Sequence, residues 1–149
     1  MEQLVELAIP ALAEYVGLVR LVVSSLASER RDLDDDRVDD LKLAVSEACT
    51  NAVEAHGSSS TAERVIVRCF EDDETFEVRI EDRGSGFDPA KLPVHPPVTD
   101  PARLEFERGL GIPLIRALAD DVEFLFSAEG TSVRLVVRCS RAKAVMDSA

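Results

Sequence analysis

The apolar side chains around the stretch from Asp40 to Gly57 most constrain how this chain can fold, because they repeat at alternating gaps of three and four residues. Such spacing predicts a helix that is buried along one side. The repeating positions are Val38, Leu41, Val45, Ala48, Ala52 and Ala55. We therefore expect the core of the protein to form around this helix.

The same stretch carries an acid and an amide that share one side of the predicted helix. Glu47 and Asn51 are four residues apart, which is about one helical turn, and they border the apolar stripe. A carboxylate can accept a proton and a carboxamide oxygen can bind a hard cation, so the pair suits nucleotide chemistry. The solvated side of an ordinary amphipathic helix shows this spacing too, so the pair becomes informative only together with other motifs.

Size and composition predict one ordinary domain. The chain has 149 residues and 46% hydrophobic content, so we expect a single domain over residues 1–149. It has no apolar run long enough for a membrane span, and its N-terminus lacks the pattern of a signal peptide. We expect a cytoplasmic protein without membrane contact.

Cys49, Cys69 and Cys139 are widely spaced in apolar surroundings, which predicts reduced core residues.

The charge of the chain bears on its partners. Its formal net charge is −12, with 29 acidic and 17 basic residues. Nucleic-acid binding depends on cationic contacts to phosphates, so we expect no direct nucleic-acid partner. A basic protein partner fits this charge better.

The remaining periodicities predict strands in consecutive antiparallel pairs with helices grouped between them. The predicted elements are an edge strand at Val5–Ile9 closed by Pro10, a helix at Ala11–Ala27, strands at Arg64–Glu71 and Thr75–Glu81, a lid at about 88–108, a helix after Gly111, strands at Val122–Ser127 and Thr131–Arg138, and a frayed tail at 140–149. This order favours an α+β fold, specifically a two-layer sandwich with a mixed, mostly antiparallel sheet covered on one face by helices.

Two helices carry further predictions about burial. In the helix at Ala11–Ala27, three residues widen the apolar face beyond a usual core stripe, which leaves either a wide core contact or a partner interface: Leu18, Leu21 and Val22. In the helix after Gly111, Pro113 lies in the first turn, where its missing N–H costs least. The inward positions of that helix are predicted to be Ile112, Leu114, Ile115, Leu118 and Ala119.

Two glycine-rich segments add chemistry to the Glu47 and Asn51 pair. The first, Asp82-Arg83-Gly84-Ser85-Gly86-Phe87, follows a predicted strand, and the second, Arg108-Gly109-Leu110-Gly111, opens a predicted helix. Taken singly, the first could be a plain turn and the second a helix cap. Glycines at a helix start also expose N–H groups to phosphates, and an aspartate beside a glycine turn can accept a hydrogen bond from adenine. With Mg²⁺ on Asn51, one nucleotide would satisfy all three elements.

These motifs, in the order in which they occur along the chain, resemble those of the GHKL-type ATP-binding fold. The resemblance is specifically to the small anti-sigma-factor serine/threonine kinases of bacterial stress and sporulation switches. Residues 47–52 match that family's N box, residues 82–87 its first glycine box and residues 108–111 its second. Gly130-Thr131 matches the final threonine motif. The four motifs span nearly the whole chain.

The resemblance implies a role for each matched residue, with ATP and Mg²⁺ bound. Glu47 would be the general base, Asn51 the Mg²⁺ ligand and Asp82 the acceptor for the adenine amino group. The other implied nucleotide-binding residues are Gly84 and Gly86, which shape the base pocket, Phe87 beside them, Arg108 at the terminal phosphates, Gly109, Leu110 and Gly111 around the phosphates, and Thr131 at the adenine end. The chain departs from the family at His56, which stands five residues after Asn51 where four is more usual. The lid matches poorly, so Lys91 and Arg103 remain only plausible phosphate contacts.

The resemblance also implies a function. We expect a protein-serine kinase that phosphorylates an anti-anti-sigma factor of the STAS type and sequesters a sigma factor, and we expect a homodimer. The alternatives are an ATP-gated binding module without phosphotransfer and a catalytic ATPase module like that of histidine kinases. The presence of Glu47 favours the kinase.

Overall fold

The computed structural model describes residues 1–54, 64–82, 112–127 and 130–139. A short 3-10 helix at Ala13–Tyr15 precedes the first α-helix. The other elements, in chain order, are β1 (Glu2–Pro10), α1 (Val16–Ser28), α2 (Asp35–Glu54), β2 (Arg64–Glu71), β3 (Thr75–Asp82), α3 (Ile112–Leu118), β4 (Asp121–Ser127) and β5 (Gly130–Arg138).

The described strands form one sheet in the order β1-β2-β3-β5-β4, and every pairing among them is antiparallel. This confirms the predicted α+β fold and its predominantly antiparallel sheet. The first strand lies at an edge, as predicted, and Pro10 is its last residue. An edge position suits proline because its nitrogen has no hydrogen to donate to a neighbouring strand.

Alternation along the strands separates the two faces of the sheet. In β3, the side chains of Phe76, Val78 and Ile80 are at most 1% exposed and belong to the core. The predicted hairpin pairs them with β2, where Val67 faces Ile80 and Cys69 faces Val78. Because successive side chains point to opposite faces, the residues between them lie on the sheet's other face.

That second face is held by ion pairs. Glu77 is only 1% exposed, and its carboxylate accepts hydrogen bonds from the guanidinium groups of Arg79 and Arg134. Arg79 also lies over the ring of Phe70, 4.3 Å from its centroid. A buried carboxylate is costly unless it is paired, and here two arginines pair it.

Helix α2 begins at Asp35, five residues before the predicted Asp40. Asp34 caps it, because its side-chain oxygen accepts a hydrogen bond of 2.8 Å from the backbone N–H of Arg37. The three residues before Val38 are charged, so the apolar stripe does not mark the first residues of the helix. Its predicted end at Gly57 lies outside the described residues.

The core is organised around α2, as the apolar stripe predicts. This helix packs against α1, α3 and the strands β2, β3 and β5. Its buried side chains are Val38, Leu41, Ala44, Val45, Ala48, Cys49 and Val53. The predicted core positions are confirmed among the described residues, except that Ala52 is only half-buried.

Three leucines that were predicted or considered as core residues lie outside the core. Leu18 and Leu21 of α1 are 44% and 62% exposed, so they do not form the wide core contact that was one of the two interpretations. Leu114 of α3 is 39% exposed, and the prediction that it points inward is wrong. Helix α3 has seven residues and one buried side, and Ile115 occupies that side at 0% exposure.

The three cysteines are free, as predicted, and two of them are fully buried. Burial raises the pKa of the Cys49 thiol to about 11 and that of Cys69 to about 12. A thiol with such a pKa stays protonated near neutral pH and reacts poorly. Both residues therefore act as core side chains.

Candidate functional site

Glu47 and Asn51 lie where the sequence places them, at the border of the buried side of α2. Both side chains are half-buried. The neighbouring Ala48 is 1% exposed and belongs to the core. Glu47 and Asn51 are therefore carried by a helix whose buried side is packed in the core. This packing limits how far the two side chains can move.

The side of α2 that carries Asn51 faces α3. Arg37, Ala44 and Asn51 follow one another at intervals of seven residues, which places them on one side of the helix. Near the beginning of this row, the Arg37 side chain donates a hydrogen bond of 3.3 Å to the carbonyl of Leu118, the last residue of α3. Asn51 lies 14 residues further along the same row, about 21 Å from Arg37 at 1.5 Å per residue.

Asp82 occupies the last position of β3 and is buried, at 6% exposure. It follows Ile80 by two residues, so it lies on the apolar, helix-covered face of the sheet. Glu77, the other buried acid among the described residues, lies on the opposite face with its arginines. The two buried acids therefore lie on opposite faces of the sheet, and Asp82 is the one on the face that α2 covers.

Thr131 lies directly opposite Asp82 in the pairing of β3 with β5. It precedes Val133 by two residues, so it shares the same helix-covered face. Facing side chains in such a pair have Cβ atoms about 5 Å apart. The structure therefore brings together two predicted site residues that are distant in sequence.

Gly130 makes the position of Thr131 possible. Its φ angle is 145°, a conformation that side-chain-bearing residues rarely adopt. It pairs with Ser127, the last residue of β4, and stands directly before Thr131. A glycine at this point lets β5 begin opposite the end of β3.

The four described members of the predicted set lie on two layers that pack together. Glu47 and Asn51 are carried by α2, which packs on β3 and β5, and these strands carry Asp82 and Thr131. A carboxylate accepts hydrogen bonds and an apolar wall excludes water, so the strand pair fits the amino edge of a nucleobase.

The oxygen ligands that the site offers also fit a magnesium nucleotide. Among the residues that the structure describes, no group of three or more His, Cys, Asp or Glu side chains could hold a metal ion. Mg²⁺ in nucleotide sites takes few protein ligands and keeps waters and phosphate oxygens. A single carboxamide such as that of Asn51 suits this kind of coordination.

The other predicted site residues lie outside the described residues. They are Gly84, Gly86, Phe87, Lys91, Arg103, Arg108, Gly109, Leu110 and Gly111, and His56 lies outside them as well. Helix α3 begins at Ile112, directly after the second glycine segment, with Pro113 in its first turn as predicted.

Sequence reasoning missed the contact that joins α2 to the end of α3. The guanidinium of Arg37 lies 2.9 Å from the carboxylate of Asp120, which directly follows the last turn of α3. The two residues are far apart in an acidic, charge-rich chain, so no local pattern marks them as partners. The only signal was a lone arginine within the aspartate-rich start of α2.

Comparison with known proteins places the chain in a family. Residues 9–137 match the histidine kinase-like ATPase domain. The serine-protein kinase RsbW of Staphylococcus epidermidis is 36% identical over 136 residues, which cover 89% of this chain and 84% of the relative. RsbW of Oceanobacillus iheyensis is 40% identical over 126 residues, which cover 80% of this chain and 77% of the relative.

Solved structures agree with this fold. The RsbU and RsbW domains of a Mycobacterium tuberculosis protein match with a TM-score of 0.64 and 20% identity over 93% of this chain, which spans 33% of that structure. The histidine kinase domain of a blue-light-activated kinase from Erythrobacter litoralis matches with a TM-score of 0.55 and 19% identity, over 93% of this chain and 65% of the other. At these identities the structures support the fold alone. The family match and the sequence relatives show that this chain belongs to the histidine kinase-like ATPase family and, within it, to the RsbW serine-protein kinases.

Proposed function

We propose that this chain is an ATP-dependent protein-serine kinase and anti-sigma factor that phosphorylates a STAS-type anti-anti-sigma factor and sequesters a sigma factor. The relatives are named serine-protein kinases. The observation that carries the proposal is the placement of Asp82 opposite Thr131 on the face covered by α2, the helix that carries Glu47 and Asn51. Residues 1–149 would form one domain, with an ATP lid at about 88–108 and a frayed tail at 140–149.

The binding residues divide between the two ends of the nucleotide. Asp82 would accept a hydrogen bond from the adenine amino group, with Thr131 beside it. By the resemblance, Gly84, Gly86 and Phe87 would border the base. Asn51 would hold Mg²⁺, and the phosphates would lie against Arg108, Gly109, Leu110 and Gly111. When bound, Mg²⁺ supplies positive charge that offsets the charge on the phosphate oxygens.

Glu47 would provide the base for phosphotransfer. Its carboxylate accepts the proton of the substrate serine hydroxyl, which makes the oxygen a better nucleophile. The serine oxygen then bonds to the terminal phosphorus as the bond to the bridging oxygen of ADP breaks. A half-buried position on a packed helix suits this task, because the carboxylate stays oriented and remains within reach of a docked protein.

Charge and surface support a protein partner. The formal net charge of −12 favours a basic partner, such as a transcription factor, and disfavours nucleic acid. Leu18 and Leu21 give α1 an exposed apolar surface, which supports a homodimer. Within the part of the chain that the structure describes, no helix has the length and hydrophobicity of a membrane span. We propose that the protein acts in the cytoplasm.

The test is phosphotransfer from labelled ATP, with Mg²⁺, to candidate STAS proteins. We expect Glu47→Ala to lose transfer by at least about 100-fold, because general-base catalysis contributes 10²–10⁴-fold, while nucleotide binding remains. Asp39→Ala, an exposed acid on the same helix, is the matched control and should transfer normally. Undiminished transfer by Glu47→Ala would remove Glu47 as the base. Nucleotide binding by the wild type without transfer to any partner would instead support the ATP-gated binding module.

A further inference from the structure

Arg37 joins α2 and α3, the two helices of the candidate site, at a point distant from Glu47. Arg37 of α2 donates through Nη1 to the carbonyl of Leu118 at 3.3 Å and to the carboxylate of Asp40 at 3.1 Å. Its Nη2 lies 2.9 Å from Oδ2 of Asp120 and forms an ion pair with it, although the two groups are not oriented for a hydrogen bond. The guanidinium therefore holds both the last carbonyl of α3 and the acid that follows it.

Asp120 is itself anchored to the sheet. Its Oδ2 accepts a hydrogen bond of 2.6 Å from the backbone N–H of Arg138. Its own backbone N–H donates to the carbonyl of Val136 at 3.0 Å. The end of α3 is thus fixed at one point to both α2 and β5.

Helix α3 depends on such contacts because it is short. It has seven residues, and Ile115 is its one fully buried side chain. A helix of this length is not stable by itself, so tertiary contacts determine its orientation. A cation at the C-terminal end also stabilises the helix dipole. Arg37 supplies both effects.

Arg37 is too far from the reaction to act on substrate. It precedes Glu47 by ten residues, which is about 15 Å along α2 at 1.5 Å per residue. Leu118 follows Ile112 by six residues, about 9 Å along α3. The start of α3 directly follows the glycine segment assigned above to the phosphates. Any effect of Arg37 on phosphotransfer must therefore pass through the placement of α3.

We propose that Arg37, paired with Asp120, is a positioning residue for phosphotransfer, because it sets the orientation of α3 relative to the helix that carries Glu47 and Asn51. The inference rests on the proposed kinase function. A change in this orientation moves the first residues of α3, which follow the glycine segment, relative to Glu47 and Asn51 on α2. Misplacement by about 1 Å can reduce the rate of a positioned reaction about 100-fold.

The chain offers a matched control for a merely structural effect. Arg30 is also a half-buried guanidinium that joins distant elements, since it binds Asp32, Glu71 and the carbonyls of Asp72 and Asp73. These partners lie in the connection before α2 and at the turn between β2 and β3, and none belongs to α3. Loss of Arg30 should reduce stability without disturbing α3.

The experiment compares Arg37→Met, Arg30→Met, Asp120→Asn and the double variant of Arg37 and Asp120 in the full chain. Methionine retains an apolar stem, and asparagine retains an oxygen for the N–H of Arg138. The measurements are kcat and KM for transfer to the STAS protein, together with the Tm of each variant. All rates are taken at a temperature where every variant is folded.

We expect Arg37→Met to lower kcat about 10- to 100-fold while KM for the protein substrate stays within twofold. The double variant should be no slower than Arg37→Met, because both changes remove the same contact. Arg30→Met should lower Tm and leave kcat unchanged. A normal kcat in Arg37→Met, or an equal loss of kcat in Arg30→Met, would overturn the positioning role alone. Absence of transfer by the wild type would overturn the kinase function as well.

Discussion

Among single residues, Arg30 shows how a buried charge is made tolerable. Its side chain is 12% exposed, and it donates two hydrogen bonds of 2.9 Å to Asp32 and one of 3.0 Å to Glu71. Two further bonds reach the carbonyls of Asp72 and Asp73, at 2.8 and 3.3 Å. The polar partners offset the cost of removing the charge from water. Loss of the Arg30 guanidinium would leave several acceptor oxygens without these hydrogen bonds in a partly buried place.

We therefore expect Arg30→Met to lower the free energy of unfolding by about 2 kcal/mol, measured by urea denaturation at neutral pH. Arg31→Met, at the exposed neighbouring position, should change it by less than about 0.5 kcal/mol. Equal effects of the two substitutions would show that the hydrogen bonds of Arg30 contribute nothing.

The same pair has a pH signature. The hydrogen bond from Arg30 is the main reason that the pKa of the Asp32 carboxyl lies below its ordinary value. A lowered pKa in the folded state means that the pair stabilises the fold above the ordinary value of about 3.9, and that this stability is lost as the pH falls through the folded pKa. In Arg30→Met, the loss of unfolding free energy below about pH 4 should be smaller than in the wild type. Parallel pH profiles would contradict this.

At the scale of elements, local pattern predicted most of the described structure. Alternation at Phe76, Val78 and Ile80 identifies β3, and the apolar stripe identifies α2. The start of α2 was missed because its cap, Asp34, and its first three residues, 35–37, are all charged and show no apolar period. Leu114 was misplaced because a seven-residue helix contains too few turns for the pattern to choose a side.

The capping interaction of α2 yields its own prediction. Asp34→Ala removes the acceptor for the N–H of Arg37, so we expect a loss of about 1 kcal/mol in unfolding free energy. Asp39→Ala, an exposed acid within the same helix, should have little effect, and thermal unfolding of the two variants makes the comparison. A similar Tm for both would show that the cap is replaced by water.

The candidate site was less predictable than the elements that carry it. Glu47 and Asn51 could be placed by helical spacing, because both lie on one element. The pairing of Asp82 with Thr131 depends on how β3 and β5 meet, and no local period encodes that register. Thr131 was identified through the family resemblance alone. The contact between Arg37 and Asp120 was not predicted, since neither residue belongs to a motif.

At the scale of the whole molecule, the exposed leucines of α1 bear on assembly. Leu18 and Leu21 are not needed by the core, so their replacement should leave the fold intact. We expect the double variant Leu18→Gln and Leu21→Gln to shift the protein from dimer to monomer in analytical ultracentrifugation, with Tm nearly unchanged. Leu125→Gln, at the 54% exposed position on β4, should not alter assembly. A monomeric wild type, or a variant that dimerises as tightly, would contradict the proposed dimer surface.

We propose that α2 and the strand pair β3 and β5 enclose one nucleotide, with Asp82 accepting a hydrogen bond from its base. Titration of the wild type and Asp82→Asn with ATP and Mg²⁺, followed by calorimetry, tests it most directly. We expect one nucleotide per chain for the wild type. For Asp82→Asn, whose amide replaces one acceptor oxygen with a donor, we expect at least about tenfold weaker binding and a Tm close to that of the wild type. Equal affinity in the two proteins would show that Asp82 does not bind the base.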